Sequence, residues 1–110
     1  MSINSTIYPP KPISLSINME KTGANIKRLI KDSAYTIDDI MAITGVSTQQ
    51  AVYKWFSGKS LPSIESLLIL SKILSVMVTE ILVIEDKSVL SRDDYSYSQK
   101  YRANNANYLY

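Results

Sequence analysis

The chain contains no cysteine and no histidine. Without cysteine there is no disulfide and no thiolate nucleophile. Without either residue type, zinc sites built from them and Cys/His dyads are excluded, and the commonest general base is missing. Charge of one sign is also scarce. Twelve basic and ten acidic side chains leave a formal net charge of only +2, so any affinity for nucleic acid has to come from local placement of Lys and Arg. A bilayer-length apolar run is lacking too. The most apolar stretch, 67–84, is interrupted by Lys72, Thr79 and Glu80 and reads as core helices. The segment Met1-Ser2-Ile3-Asn4-Ser5-Thr6 has neither the basic flank nor the apolar run of a signal peptide. These absences make a cytoplasmic protein without membrane association the expectation, and they give an enzymatic reading almost no support. No cofactor and no metal are expected. The acid pairs Asp38-Asp39 and Asp93-Asp94 do not alter that, because adjacent helical positions point about 100° apart and no third ligand is near in sequence.

What is present suits one ordinary globular domain: 110 residues, of which 45% are hydrophobic and 20% charged. The charges are spread unevenly. Residues 1–19 carry Lys11 alone, 20–84 carry seven basic and six acidic side chains, and 85–110 carry four of each. A near-neutral centre implies modest DNA affinity per monomer and favours a dimer.

Residues 1–18 read as an extended arm. Pro9, Pro10 and Pro12 exclude helix, and Ile13-Ser14-Leu15-Ser16-Ile17 alternates with the period of a strand, suited to pairing at an edge or lying on the domain. Asn18 is placed to cap a first helix that buries Ile26, Leu29 and Ile30 and leaves Lys21, Lys27, Arg28 and Lys31 solvated. Thr36-x-x-Asp39 resembles a capping box at the start of a second helix, with Ile37, Ile40 and Met41 as its apolar stripe. Gly45 then supplies a left-handed turn. Ser47 or Thr48 caps a third helix, Ser47-x-x-Gln50 having the form of a capping box, and Val52, Trp55 and Phe56 are spaced for burial. Gly58 ends it. Ser63 caps a fourth helix expected to bury Ile64, Leu67, Leu68, Leu70, Ile73 and Leu74, and a short fifth helix runs from Val78 to Leu82. From Glu85 the aliphatic periodicity fades. Residues 85–110 hold five of the eight tyrosines and three asparagines, the composition of a polar tail disordered in isolation.

Two short helices around Gly45, followed by the loop Phe56-Ser57-Gly58-Lys59-Ser60-Leu61-Pro62, have the layout of a helix-turn-helix, whose second helix enters the DNA major groove by its N-terminal end. The run 20–84 resembles the phage-repressor family (Cro-type, also called XRE), most specifically over Gln50-Ala51-Val52-Tyr53-Lys54-Trp55 and Gly58-Lys59-Ser60-Leu61-Pro62-Ser63-Ile64. The resemblance covers about three-fifths of the chain. It implies an all-α, compact five-helix lambda-repressor-like domain over 19–84 that binds operator DNA as a homodimer, with the arm 1–18 and the Tyr/Asn-rich tail 85–110 outside it.

The sequence departs from the family pattern at three points. Ten steps separate Gly45 from Trp55, one more than is usual, and the extra residue falls around Ser47-Thr48-Gln49. Ser75 stands where a glycine commonly ends the fourth helix. Met77 stands where a serine commonly caps the fifth, a loss of about 1 kcal/mol.

The candidate base-reading residues are Ser47, Thr48, Gln49 and Gln50. A glutamine amide can both donate to and accept from the major-groove edge of adenine, although Gln50 also fits a capping role, as Ser47 and Thr48 do. Lys54, Lys59 and Ser60 are candidates for the DNA backbone, where a mobile point charge suits phosphate attraction. Tyr53 fits either a phosphate contact or core packing. Arg28, with Asn25, is a further backbone candidate from the first helix. Trp55 and Phe56 read as core. The function expected is sequence-specific duplex binding by a bacterial or prophage transcriptional regulator that represses by occlusion. The competing expectation is a protein-interaction module, antitoxin- or immunity-regulator-like, using the same fold.

Overall fold

The computed structural model describes residues 10–87. The elements in chain order are β1 (Leu15–Ile17), α1 (Met19–Lys31), α2 (Ile37–Thr44), α3 (Gln49–Ser57), α4 (Ile64–Leu74), α5 (Val78–Ile81) and β2 (Ile84–Asp86). By internal contacts the chain divides into two units. One runs from Ile17 to Glu85 and holds all five described helices; the described part of the other is residues 10–16 with 86 and 87. No described helix is long and apolar enough to cross a membrane.

The first four helices each start where a short polar side chain accepts from an otherwise orphaned backbone N–H. Asn18 Oδ1 accepts from the Lys21 N–H at 2.9 Å. Thr36 and Asp39 form the full reciprocal box, the Asp39 N–H donating to Thr36 Oγ1 at 3.1 Å and the Thr36 N–H to Asp39 Oδ2 at 2.9 Å. Ser63 Oγ accepts from the Ser66 N–H at 3.1 Å. For α5 the Met77 side chain makes no capping bond; the Glu80 carboxylate instead reaches back to accept from the Met77 N–H at 3.2 Å. That half-box holds a helix of four residues. Gly45 takes the left-handed conformation at φ 79° and turns the chain between α2 and α3. Ser75 adopts the same conformation at φ 56° to end α4, where its Cβ costs roughly 1–2 kcal/mol that glycine would not incur.

The core of the 17–85 unit is Ile26 and Ile30 of α1, Ile40 of α2, Val52 and Trp55 of α3, Leu67 and Leu70 of α4, and Ile81 of α5. Leu29, Ile37, Met41, Phe56, Ile73 and Leu74 pack against it half-buried. Two expected core residues are not there. Ile64 is 78% exposed and Leu68 58% exposed, because the core side of α4 is set by Leu67 and Leu70, and Ile64 and Leu68 lie on its outer side.

Two features tie distant parts of the sequence together. Gly23 of α1 lies so close to the end of α3 that a Cβ there would come within 2.3 Å of the Trp55 carbonyl oxygen and 2.6 Å of that of Phe56. Only a residue without a side chain permits the approach. The short α5 is held by polar side chains of α1. Asn25 Nδ2 donates to the carbonyls of Glu80 and Ile81, both at 2.9 Å, and the buried Thr22 hydroxyl accepts from the Val83 N–H at 2.8 Å.

The alternation read at 13–17 becomes a strand of three residues, β1. The expectation of an all-α fold omitted its partner: β2 pairs with β1 in a two-stranded sheet, and β2 spans the boundary at 84/85 where domain was expected to give way to tail. The Asn18 N–H donates to the Val83 carbonyl at 2.8 Å, and the Asn18 amide to Glu85 Oε1 at 2.7 Å. The expected disorder of the rest of the tail, 88–110, and the first nine residues of the arm lie outside the described residues.

Candidate nucleic-acid interface

Helix α3 divides sharply into two sides. Val52 and Trp55 are buried, and Ala51 and Phe56 half-buried. Gln49, Gln50, Tyr53, Lys54 and Ser57 are exposed. The exposed set recurs at helical spacing, so it forms one continuous stripe along α3 that begins at the helix N-terminus.

Thr48 is the N-cap of α3, its Oγ1 accepting from the Ala51 N–H at 3.2 Å, and Ser47 stays outside the helix. The capping box read from Ser47 and Gln50 therefore does not form; Gln50 is the second helical residue, and no hydrogen bond engages its side chain among the described residues. Gln49 is the first helical residue, and its Nε2 donates to Asp38 Oδ1 of α2 at 3.3 Å. That bond uses one amide hydrogen and leaves the second hydrogen and the carbonyl oxygen open.

At the other end of α3, Gly58 takes φ 78°. The Lys59 and Ser60 N–H groups both donate to the Lys54 carbonyl, at 3.0 and 3.3 Å. Two backbone bonds thus hold the basic loop against the helix that carries Lys54. Gln50, Tyr53, Lys54, Ser57 and Lys59 line a shallow depression of about 370 Å³. On the other side of Tyr53 is a larger groove of about 550 Å³, walled by Ile30, Tyr35, Ile37 and Phe56 and reached by Lys27 and Lys31. Tyr53 and Ser57 border both. Tyr53 is 49% exposed, with its ring edge-on to Phe56 at 6.0 Å between centroids. Of its two readings, full core packing is excluded.

Gln49, Gln50, Tyr53 and Lys54 thus share one surface with Lys59, and Thr48 caps the same helix. Arg28 does not join them. Its Nη2 donates to Asn25 Oδ1 at 2.7 Å, and its guanidinium pairs with Asp32 at 3.6 Å. Asn25 in turn is committed to the end of α5. Lys27 and Lys31, read from sequence as merely solvated, are the α1 cations that border Tyr53. Their signal was their placement: they lie four residues apart, on the edge of α1 next to Gly23, which meets α3. Among the described residues no group of His, Cys, Asp and Glu side chains could hold a metal ion. Compared with protein-family profiles, curated proteins and solved structures, the chain matches none.

Proposed function

We propose that the helical unit binds duplex DNA sequence-specifically, with α2 and α3 as a helix-turn-helix of the phage-repressor type, and that the chain is a cytoplasmic transcriptional regulator that represses by occlusion. The observation that carries this reading is the unburied stripe on α3. It starts with two glutamines at the helix N-terminus, where an inserted helix reads base edges, and continues through Tyr53 to Lys54 and the pinned Lys59 loop. Gln49 and Gln50 are the base readers, amide against adenine. Thr48 and Ser47 adjoin them at the turn. Tyr53, Lys54, Lys59 and Ser60 contact the backbone; Lys27 and Lys31 replace Arg28 as the contribution of α1. Four lysines are few phosphate contacts, so the protein acts as a homodimer on two half-sites about one turn, ~34 Å, apart.

A selection from random duplexes followed by mobility shift at several ionic strengths tests this. Recovery of one enriched site, with affinity falling steeply as salt rises, is the expected result. The apolar walls of the groove beside Tyr53 favour a second reading, in which this face docks a protein in the manner of an antitoxin or immunity regulator. No enriched duplex would leave that reading in place of the first.

A further inference from the structure

The outer side of α4 presents two branched aliphatic side chains to water. Ile64 is 78% exposed and Leu68 58% exposed, four residues apart and so on one stripe of the helix. Neither belongs to the core, to which α4 contributes Leu67 and Leu70, and neither belongs to the α3 surface.

The charges beside this stripe are arranged in a particular way. With about 100° between successive residues, Leu68 follows Ile64 by about 40°, and Lys72 and Glu65 lie a further ~40–60° round on the same edge. Both are exposed. Seven residues separate them, about 10 Å along the axis, too far for an ion pair within the helix, and no hydrogen bond or ion pair engages either side chain among the described residues.

We propose that this face is a homodimer contact, in which two copies of α4 pack antiparallel about a two-fold axis beside Leu68, Glu65 of each copy pairing with Lys72 of the other. A two-fold axis perpendicular to both helices brings like edges together and reverses their direction. Glu65 of one copy then stands level with Lys72 of the other, twice over, and the midpoint between them falls at Leu68. Leu68 meets its own counterpart, and Ile64 of each copy lies along the other edge of the contact, away from the charges. A parallel pair would put the charged edges on opposite sides and leave all four charges without partners, so the charge pattern selects the antiparallel arrangement. The face is small. A helix of eleven residues covers less than the ~800 Å² per partner of a standard interface, so association is weak in free solution and is reinforced when both copies hold one duplex.

The inference names the interface of the dimer proposed above and rests on that part of the reading, so it is tested without DNA. Sedimentation equilibrium of the full chain at low salt should show a monomer–dimer equilibrium. Glu65→Lys and Leu68→Asp should each weaken it roughly tenfold or more, and the double variant Glu65→Lys/Lys72→Glu should restore it to near the parent value. All three sites are exposed, and unchanged circular dichroism would show that the fold persists. A parent chain that stays monomeric at every concentration overturns the proposal. A dimer indifferent to Leu68→Asp overturns this face and leaves the dimer itself standing. Failure of the double variant to recover overturns the antiparallel register. DNA binding by the same proteins is scored separately by mobility shift, so loss of the DNA reading is distinguished from loss of this one.

Discussion

Helices α3 and α4 bury comparable apolar seams in one core, but they leave opposite chemistry outside. The outer side of α3 is amide, hydroxyl and lysine, with Tyr53 as its one ring. The outer side of α4 is isoleucine and leucine edged by one acid and one base. Burial fraction does not separate the two helices; what distinguishes them is the type of surface that each would lose to a partner. A polar stripe whose amide groups remain open suits a partner that presents hydrogen-bonding edges. An apolar stripe with self-complementary charges suits a second copy. The difference is also one of anchoring. α3 is seated against α1 by backbone contact at Gly23, whereas α4 contributes the side chains of Leu67 and Leu70 to the core.

The largest expected effect lies within α4 itself. Leu70 is fully buried, so Leu70→Ala should cost roughly 2–5 kcal/mol. Leu68→Ala, two residues away, should stay within about 0.5 kcal/mol when measured by urea unfolding at concentrations that keep the chain monomeric. Equal losses would mean that the exposed side of α4 has been assigned wrongly. Next in size is Gly23→Ala. Its methyl would meet two carbonyl oxygens of α3 that cannot move without displacing the helix, and about 3 kcal/mol of destabilisation is expected, with a matching fall in thermal midpoint. A neutral result would show that the contact between α1 and α3 is loose.

Substitutions on the outer side of α3 sharpen the contrast, because they should act on binding and not on folding. Gln50→Ala should leave the midpoint unchanged and lower specific DNA affinity by roughly 1–3 kcal/mol while sparing non-specific affinity. Lys59→Ala should weaken all duplexes alike and reduce the salt slope by about one. Mobility shift on selected and random duplexes separates the two patterns. The smallest effect concerns the end of α4. Ser75→Gly relieves a left-handed residue that carries a Cβ; after the ~0.5–1 kcal/mol of extra entropy that glycine loses on folding, it should stabilise by ~0.5–1 kcal/mol, read as a rise of a few degrees in midpoint. A lower midpoint would show that the serine side chain compensates for its backbone.

The features legible in the sequence are those whose causes lie within three or four residues. Asn18, Thr36, Thr48 and Ser63 cap helices because their side chains reach the N–H three positions on, and Gly45 and Gly58 end helices because the backbone there is left-handed. The position of the candidate site on α3 follows from those local signals. The choice between Ser47 and Thr48 as cap did not, since both have the required chemistry; the helix phase is set by Val52 and Trp55 in the core. The same holds for the outer residues of α4. Ile64 and Leu68 are as apolar as Leu67 and Leu70, and only the direction from which the other helices approach decides which pair is covered. Asn25 and Thr22 hold α5 across more than fifty residues of chain, and Gly23 acts through carbonyls of another helix. A hydrogen bond or a close approach between segments so far apart leaves no periodic trace in either of them. Caps and glycines thus place the starts of α1, α2 and α4 and the ends of α2 and α3 from local signals alone, and they mark α3 as the helix that carries the polar stripe. Which lysines of α1 border that stripe, and which face of α4 is left to water, depend instead on how separate helices pack, and no single segment carries that information.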